Sequence, residues 1–328
     1  MNEPVTSPSF AEDWDVYWKG TQDAALPNRG GPQDKALNVF WTKFFREELP
    51  RHDGPRLLDA ACGNGAVTGF ALQVAQSIAS VEINVTCMDY SESAIKAVEE
   101  KYPDIRGVAC DANETPFAAG DFDIVASQFG LDYAGVSAFE KAARLVSKDG
   151  VLVAIVHMKS GAIYDECADS LDAIWSIQDS RLLSLARDAF DAGLAVAAGN
   201  APQARFREAD KNFAPAVESL KATLTRHGPL AAGGMIFRLG ADLGQMYQRI
   251  EAYVAQDVAA WLDRMDGELA AYAGRMQSMV NAALDETQIK KLSQRLSSKG
   301  LTVDTYDKLR MGENAEPAAW ILIGRRIS

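Results

Sequence analysis

The chain has 328 residues, 48% hydrophobic and 24% charged, with a formal net charge of −12. That length and composition suit a large buried core in one enlarged domain or two modest ones. The acidic balance, with Arg325 and Arg326 the only adjacent arginines near the C-terminus, argues against a nucleic-acid partner.

The start, MNEPVTSPSF, has no basic segment leading into an apolar one. No later run approaches the roughly 18 apolar residues of a membrane span, so a cytoplasmic location and no membrane partner are expected. Cys62, Cys87, Cys110 and Cys167 are widely spaced, and three histidines form no cluster. Neither a disulfide framework nor a metal site is expected, and the cysteines read as buried free thiols.

Near the N-terminus, DWDVYWKG places Trp14, Tyr17 and Trp18 close together, as a strap over a domain or as aromatic faces toward a cation. After the loop LPNRGGPQ, Leu37, Phe40, Trp41, Phe44 and Phe45 mark one face of a helix over 35–48. Strands are expected over 56–60, 83–89, 105–110, 122–128 and 150–157. Helices lie between most of them, one over 91–101 with Ser91 as its N-cap. This alternation implies a doubly covered parallel sheet with ligands at the carboxyl ends of its strands.

Past Ser160 the pattern turns helical. Leu182, Ala186, Ala189 and Ala192 mark one stripe. Tyr247, Ile250, Val254, Val258, Trp261 and Met265 mark a longer one, resuming beyond Asp266-Gly267 at Leu269, Tyr272, Met276 and Val280. Strand character returns in LTVDTYDKLRM and AAWILIGRR. The expected organisation is an N-terminal helical strap or cap over 1–50, a ligand-binding α/β domain over 51–160 and 300–328, and a helical insertion over 161–299.

The stretch LLDAACGNGAVTGFAL runs a strand through a glycine turn into a helix, a geometry that lets backbone approach a ligand. A nicotinamide fingerprint wants a third glycine three residues after Gly65, where Thr68 stands. Further signals follow in order: Asp89-Tyr90 after the second strand, Asp111-Ala112 after the third, and GDFDIVASQFGLDYAG around the fourth.

With these motifs the chain resembles the class I S-adenosylmethionine-dependent methyltransferases, in the ubiquinone/menaquinone-biosynthesis-like group acting on small molecules. The resemblance covers about 55–158 and the last strand pair. It implies a Rossmann-like sheet with a large helical insertion between strands five and six, and S-adenosyl-L-methionine as cofactor. Asp59 would help hold the methionine ammonium, directly or through water, and the Ala61, Gly63 and Gly65 backbone would wrap the amino-acid part. Asp89 would accept from the ribose hydroxyls, with Tyr90 facing adenine. Asp111 would accept from the adenine amino group while the Ala112 N–H reaches a ring nitrogen. Ser127, Gln128 and Phe129 would line the methionine end. The family often carries glycine at the position of Ala61.

The acceptor should lie over the ends of strands four and five, near Asp132, Tyr133 and His157. His157 ends its strand, and a histidine titrates near neutrality, as a base for a hydroxyl acceptor must. The insertion reads as a substrate lid, a homodimerisation element or both, its apolar stripes suiting a sizeable, partly apolar small molecule. His227, beside Arg226 and Gly228 in the helical tract, could enter the pocket from above. The expected function is a metal-independent small-molecule methyltransferase. The alternatives are an inactive cofactor-binding scaffold or regulatory partner and, less favoured by the glycine pattern, a nicotinamide oxidoreductase.

Overall fold

The computed structural model describes residues 35–78, 81–312 and 314–327. The expected aromatic strap with Trp14, Tyr17 and Trp18 lies outside the described residues. Helix α1, Lys35–Glu48, is followed by β1 (Arg56–Ala60), α2 (Ala66–Ser77), β2 (Asn84–Asp89), α3 (Glu92–Lys101), β3 (Arg106–Ala109) and β4 (Phe122–Gln128). Then come α4 (Val136–Leu145) and β5 (Val146–His157). Helices α5 (Ala162–Asp179), α6 (Leu182–Ala197), α7 (Gln203–His227), α8 (Met235–Gln248), α9 (Ala255–Ala282) and α10 (Glu286–Ser298) precede the last strands, β6 (Thr302–Met311) and β7 (Glu316–Arg325).

The strands form one seven-stranded sheet in the order β3-β2-β1-β4-β5-β7-β6. β1 to β5 are parallel, while β7 pairs antiparallel with both β5 and β6. The order reverses between β1 and β4. Such a switch point leaves a crevice at the carboxyl ends of the strands.

Alternate residues bury on both faces. Leu58, Ala60, Leu152, Ala154 and Val156 share a cluster with Ala138 and Phe139 of α4 and Ile289, Leu292 and Leu296 of α10. The intervening Leu57, Ile124, Val151, Val153 and Ile155 are equally inaccessible. On α1 the expected face buries Leu37, Trp41, Phe44 and Phe45, with the Trp41 and Phe45 rings stacked at 5.5 Å. Each such side chain contributes roughly 1.5–3 kcal/mol.

Local signals set several element ends. The Ser91 hydroxyl accepts from the Ala94 N–H, capping α3, and Asp285 with Gln288 forms a reciprocal capping box at α10. Two expectations on element limits are corrected. β5 begins at Val146 rather than Gly150, because Val146 already pairs with Phe122 across a register shift that absorbs the turn-like Lys148-Asp149-Gly150. Asp266-Gly267 does not interrupt the second long stripe, since α9 runs through it; Tyr247 and Ile250 belong to the end of α8 and the short turn after it, and Val254 is 62% exposed.

The chain divides into two compact units, one of 1–165 with 278–328 and one of 166–277. The second is helical and has its own core, in which Leu182, Ala186, Ala189 and Phe190 of α6 meet Phe213 and Leu220 of α7, Leu239 and Leu243 of α8, and Leu262 and Leu269 of α9. No helix among the described residues is long and apolar enough to cross a membrane.

Candidate functional site

The carboxyl ends of β1, β2 and β4 bring the expected turn residues together. Asp59 is 1% exposed. Its Oδ2 accepts from the Thr68 backbone N–H at 3.0 Å and from the Thr68 hydroxyl at 2.7 Å. Its Oδ1 is equally buried and has no hydrogen-bond partner among the described residues. Burial raises the Asp59 carboxyl to about 7, the Thr68 bonds oppose that rise, and the nearby charge of Asp89 adds to it. A buried carboxylate with one idle oxygen lacks a cationic donor.

The glycine turn is built on backbone bonds and close packing. The Cys62 N–H donates to Met88 O at 3.0 Å and the Gly65 N–H to Cys62 O at 2.9 Å. Gly65 has φ +75°, and a Cβ there would collide with the Val98 side chain of α3, so both conformation and space call for glycine. Ala61 takes φ 54°, a left-handed value that accounts for glycine being common at this position in the resembled family. Its methyl is accommodated by Gly130 after β4, where an added Cβ would stand 2.5 Å from Ala61 Cβ. The two turns that flank the switch point therefore touch.

Asp89 does not offer two idle oxygens. Its Oδ2 accepts from the Gly63 N–H at 2.8 Å and its Oδ1 from the Ser91 N–H at 2.9 Å, so the carboxylate ties the turn to the start of α3. The carboxylate keeps lone-pair capacity for a ligand hydroxyl. Burial raises its carboxyl despite the bonds from Ser91, Gly63 and Tyr90. Tyr90 is 64% exposed and presents an open ring face beside it. Asp111 Oδ1 accepts from the Asn113 N–H at 2.7 Å, which shapes the turn that carries Ala112.

Beyond β4, the Ser127 hydroxyl is spent on the Leu131 N–H at 3.2 Å, and Gln128 Oε1 accepts from the Trp41 indole at 2.6 Å. Both side chains are occupied by structure, which leaves their backbone for a ligand. Phe129 has φ 51°, held by its N–H bond to Ile155 O at 2.8 Å. A non-glycine residue there stores strain of the kind found at functional turns.

Asp132, Tyr133 and His157 form one cluster. Asp132 Oδ2 accepts from both the His157 backbone N–H and ring Nδ1, each at 2.7 Å. The Phe129 and Tyr133 rings lie 4.6 and 5.3 Å from the imidazole, centroid to centroid. His227 belongs to the helical unit, its buried ring held by Asp169 at 2.8 Å.

Residues 58–154 match the model of the methyltransferase-domain family. This segment is a class I methyltransferase domain. A demethylmenaquinone methyltransferase of Beutenbergia cavernae is 30% identical over 95 residues, 29% of this chain and 37% of that protein. The ubiquinone/menaquinone biosynthesis C-methyltransferase UbiE of Campylobacter jejuni is 25% identical over 139 residues, 41% of this chain and 57% of that protein. The chain thus spans less than two thirds of the length of these relatives. The solved CurJ carbon methyltransferase covers 90% of this chain and 56% of its own, at a TM-score of 0.44 and 13% identity.

Three residues around the site escaped the sequence reading. Thr68 is the donor to Asp59, and its signal was a lone hydroxyl within the apolar AVTGFAL. Gly130 makes room for Ala61, which no spacing rule reveals. Trp41 was read as core, although a buried indole N–H needs an acceptor and so pointed to an undetermined partner. The four cysteines are free thiols as expected, and the expectation that all are buried is corrected at Cys110, which is half-buried.

Proposed function

We propose that this protein transfers a methyl group from S-adenosylmethionine to a small, partly apolar molecule. The observation that carries the reading is the buried, unpartnered Asp59 Oδ1 beneath a turn whose backbone is held open by Gly63 and Gly65. S-adenosylmethionine supplies an electrophilic methyl on a sulfonium sulfur. Asp59 would take the methionine ammonium directly or through water, and the backbone of Ala61, Gly63 and Gly65 would wrap the amino-acid part. Asp89 would accept from the ribose hydroxyls with its remaining lone pairs, Tyr90 would face adenine, and Asp111 with the Ala112 N–H would bind its edge. The backbone of Ser127, Gln128 and Phe129 would line the methionine end.

The apolar stripes of the helical insertion support an acceptor that is itself partly apolar. A homodimer through that unit is supported by the exposure of Trp175 (46%) and Phe237 (52%) on it. Light scattering that returns a monomer at all concentrations removes the dimer.

Calorimetry with S-adenosylhomocysteine tests the cofactor reading; no heat and no thermal shift at millimolar ligand would sink it. A catalytically silent scaffold would bind equally but leave labelled methyl on no product in cell extract. Thermal stabilisation by a dinucleotide instead would revive the oxidoreductase.

A further inference from the structure

Asp132 and His157 are built as a base, beyond what cofactor binding requires. The carboxylate is buried, with side-chain exposure of 1%, and its Oδ2 holds both the backbone N–H and ring Nδ1 of His157. The double bond fixes the ring plane, and an ionised carboxylate at Nδ1 selects the tautomer with the proton there. That leaves the lone pair on Nε2, which makes no hydrogen bond among the described residues and is not among the fully enclosed, unpartnered atoms. Asp132 Oδ1, by contrast, is enclosed and unpartnered.

The pair also sits where transfer would occur. Asp132 follows Gly130 by two residues, and Gly130 packs on Ala61 of the glycine turn. Phe129 and Tyr133 wall the imidazole on two sides with rings, limiting water around it. The titratable groups touching His157 are Asp132 and Tyr133, both from the segment after β4.

We propose that His157 is a general base for a hydroxyl-bearing acceptor, that Asp132 is its positioning residue, and that the methyl goes to oxygen. The inference rests on the methyl-transfer reading above. The acceptor O–H bond breaks and its proton passes to Nε2. The freed oxygen forms the new O–CH₃ bond as the sulfonium C–S bond breaks, with the electron pair staying on sulfur to give S-adenosylhomocysteine. The imidazolium, stabilised by Asp132, then returns the proton to solvent. A hydroxyl is a weak nucleophile until it loses its proton, and a base held at fixed orientation supplies that step.

The test uses the full chain, labelled with ¹⁵N-histidine and saturated with S-adenosylhomocysteine. Long-range proton–nitrogen correlation at pH 8 should show His157 protonated at Nδ1 and bare at Nε2, and D132N should lose that pattern. With tritiated S-adenosylmethionine and cell extract, the labelled product should carry an O-methyl group. H157A and D132N should each lower kcat by roughly 10² to 10⁴, with S-adenosylhomocysteine affinity within about threefold of wild type. The wild-type rate should fall at low pH, and H157A should remove that dependence. A proton on Nε2, a methyl on nitrogen or carbon, or near-normal kcat in H157A overturns the base while methyl transfer stands. A wild type that binds S-adenosylhomocysteine yet labels nothing overturns both.

Discussion

The two ends of the sheet treat carboxylates in opposite ways. At the amino end of the parallel strands, Glu48 and Asp123 each meet a guanidinium. Glu48, 1% exposed, accepts from Arg325 at 2.9 and 2.7 Å, and Asp123 accepts from the Arg56 guanidinium at 3.0 and 2.8 Å. Burial alone would raise the Glu48 carboxyl, but Arg325, His52 and Arg51 together hold it below its ordinary value. Asp123 is likewise held well below the usual range, burial being outweighed by Arg56 and Ser147. At the carboxyl end, Asp59, buried, and Asp89, partly buried, meet hydroxyl and backbone donors alone, and both are raised. One end uses its charges to close the fold. The other keeps negative charge uncompensated, a standing cost that a cationic ligand relieves.

The largest effect should come from breaking the compensated end. R325A would leave Glu48 buried without its main partner and should cost about 3–5 kcal/mol in denaturant unfolding. Most of that should return in E48Q/R325A, since the unpaired charge is what costs. A loss under ~1 kcal/mol in R325A would mean Glu48 is hydrated in solution.

At the uncompensated end the sign reverses. D59N removes the buried charge, so it should raise the melting temperature at pH 8 while weakening S-adenosylhomocysteine binding at least tenfold, or about 1.4 kcal/mol. Destabilisation at pH 8 with intact affinity would refute the contrast.

Titration sharpens the same point. The folded Asp59 carboxyl, at about 7, lies above its ordinary 3.8, so the folded state binds the proton more tightly. Its contribution to stability therefore declines as pH rises from about 4 to about 7 and is flat above. Ligand binding through the carboxylate runs the other way. Affinity should fall by up to about tenfold per pH unit below 7, with proton release that calorimetry in buffers of different ionisation enthalpy detects. Release near zero at pH 6 would remove Asp59 from the ammonium site. Smallest is R56A, whose guanidinium is 46% exposed; it should cost at most about 1 kcal/mol, diminishing in high salt.

Much of the methyltransferase domain was legible because its signals are local. Asp59, Gly63, Gly65, Asp89 and Asp111 each end or follow a strand within a few residues, and alternation of strand and helix sets where those ends meet. The limits of β5 were less legible, since Lys148-Asp149-Gly150 reads as a turn and is drawn into the strand only by pairing across the sheet. In the helical unit, one apolar stripe was read across what are two helices, because a stripe records which residues are buried and not where the backbone bends.

By itself, then, the sequence determined the class of fold, the family and the order of the site motifs, since periodicity, capping and turn chemistry act over a few residues. Tertiary structure alone decided what each acid meets. Asp132 lies 25 residues from His157, and Glu48 lies 277 from Arg325. Whether a carboxylate finds a guanidinium, an imidazole or no partner depends on which strands become neighbours. Its protonation, and with it its part in stability or chemistry, is set by that contact and by burial rather than by residue type.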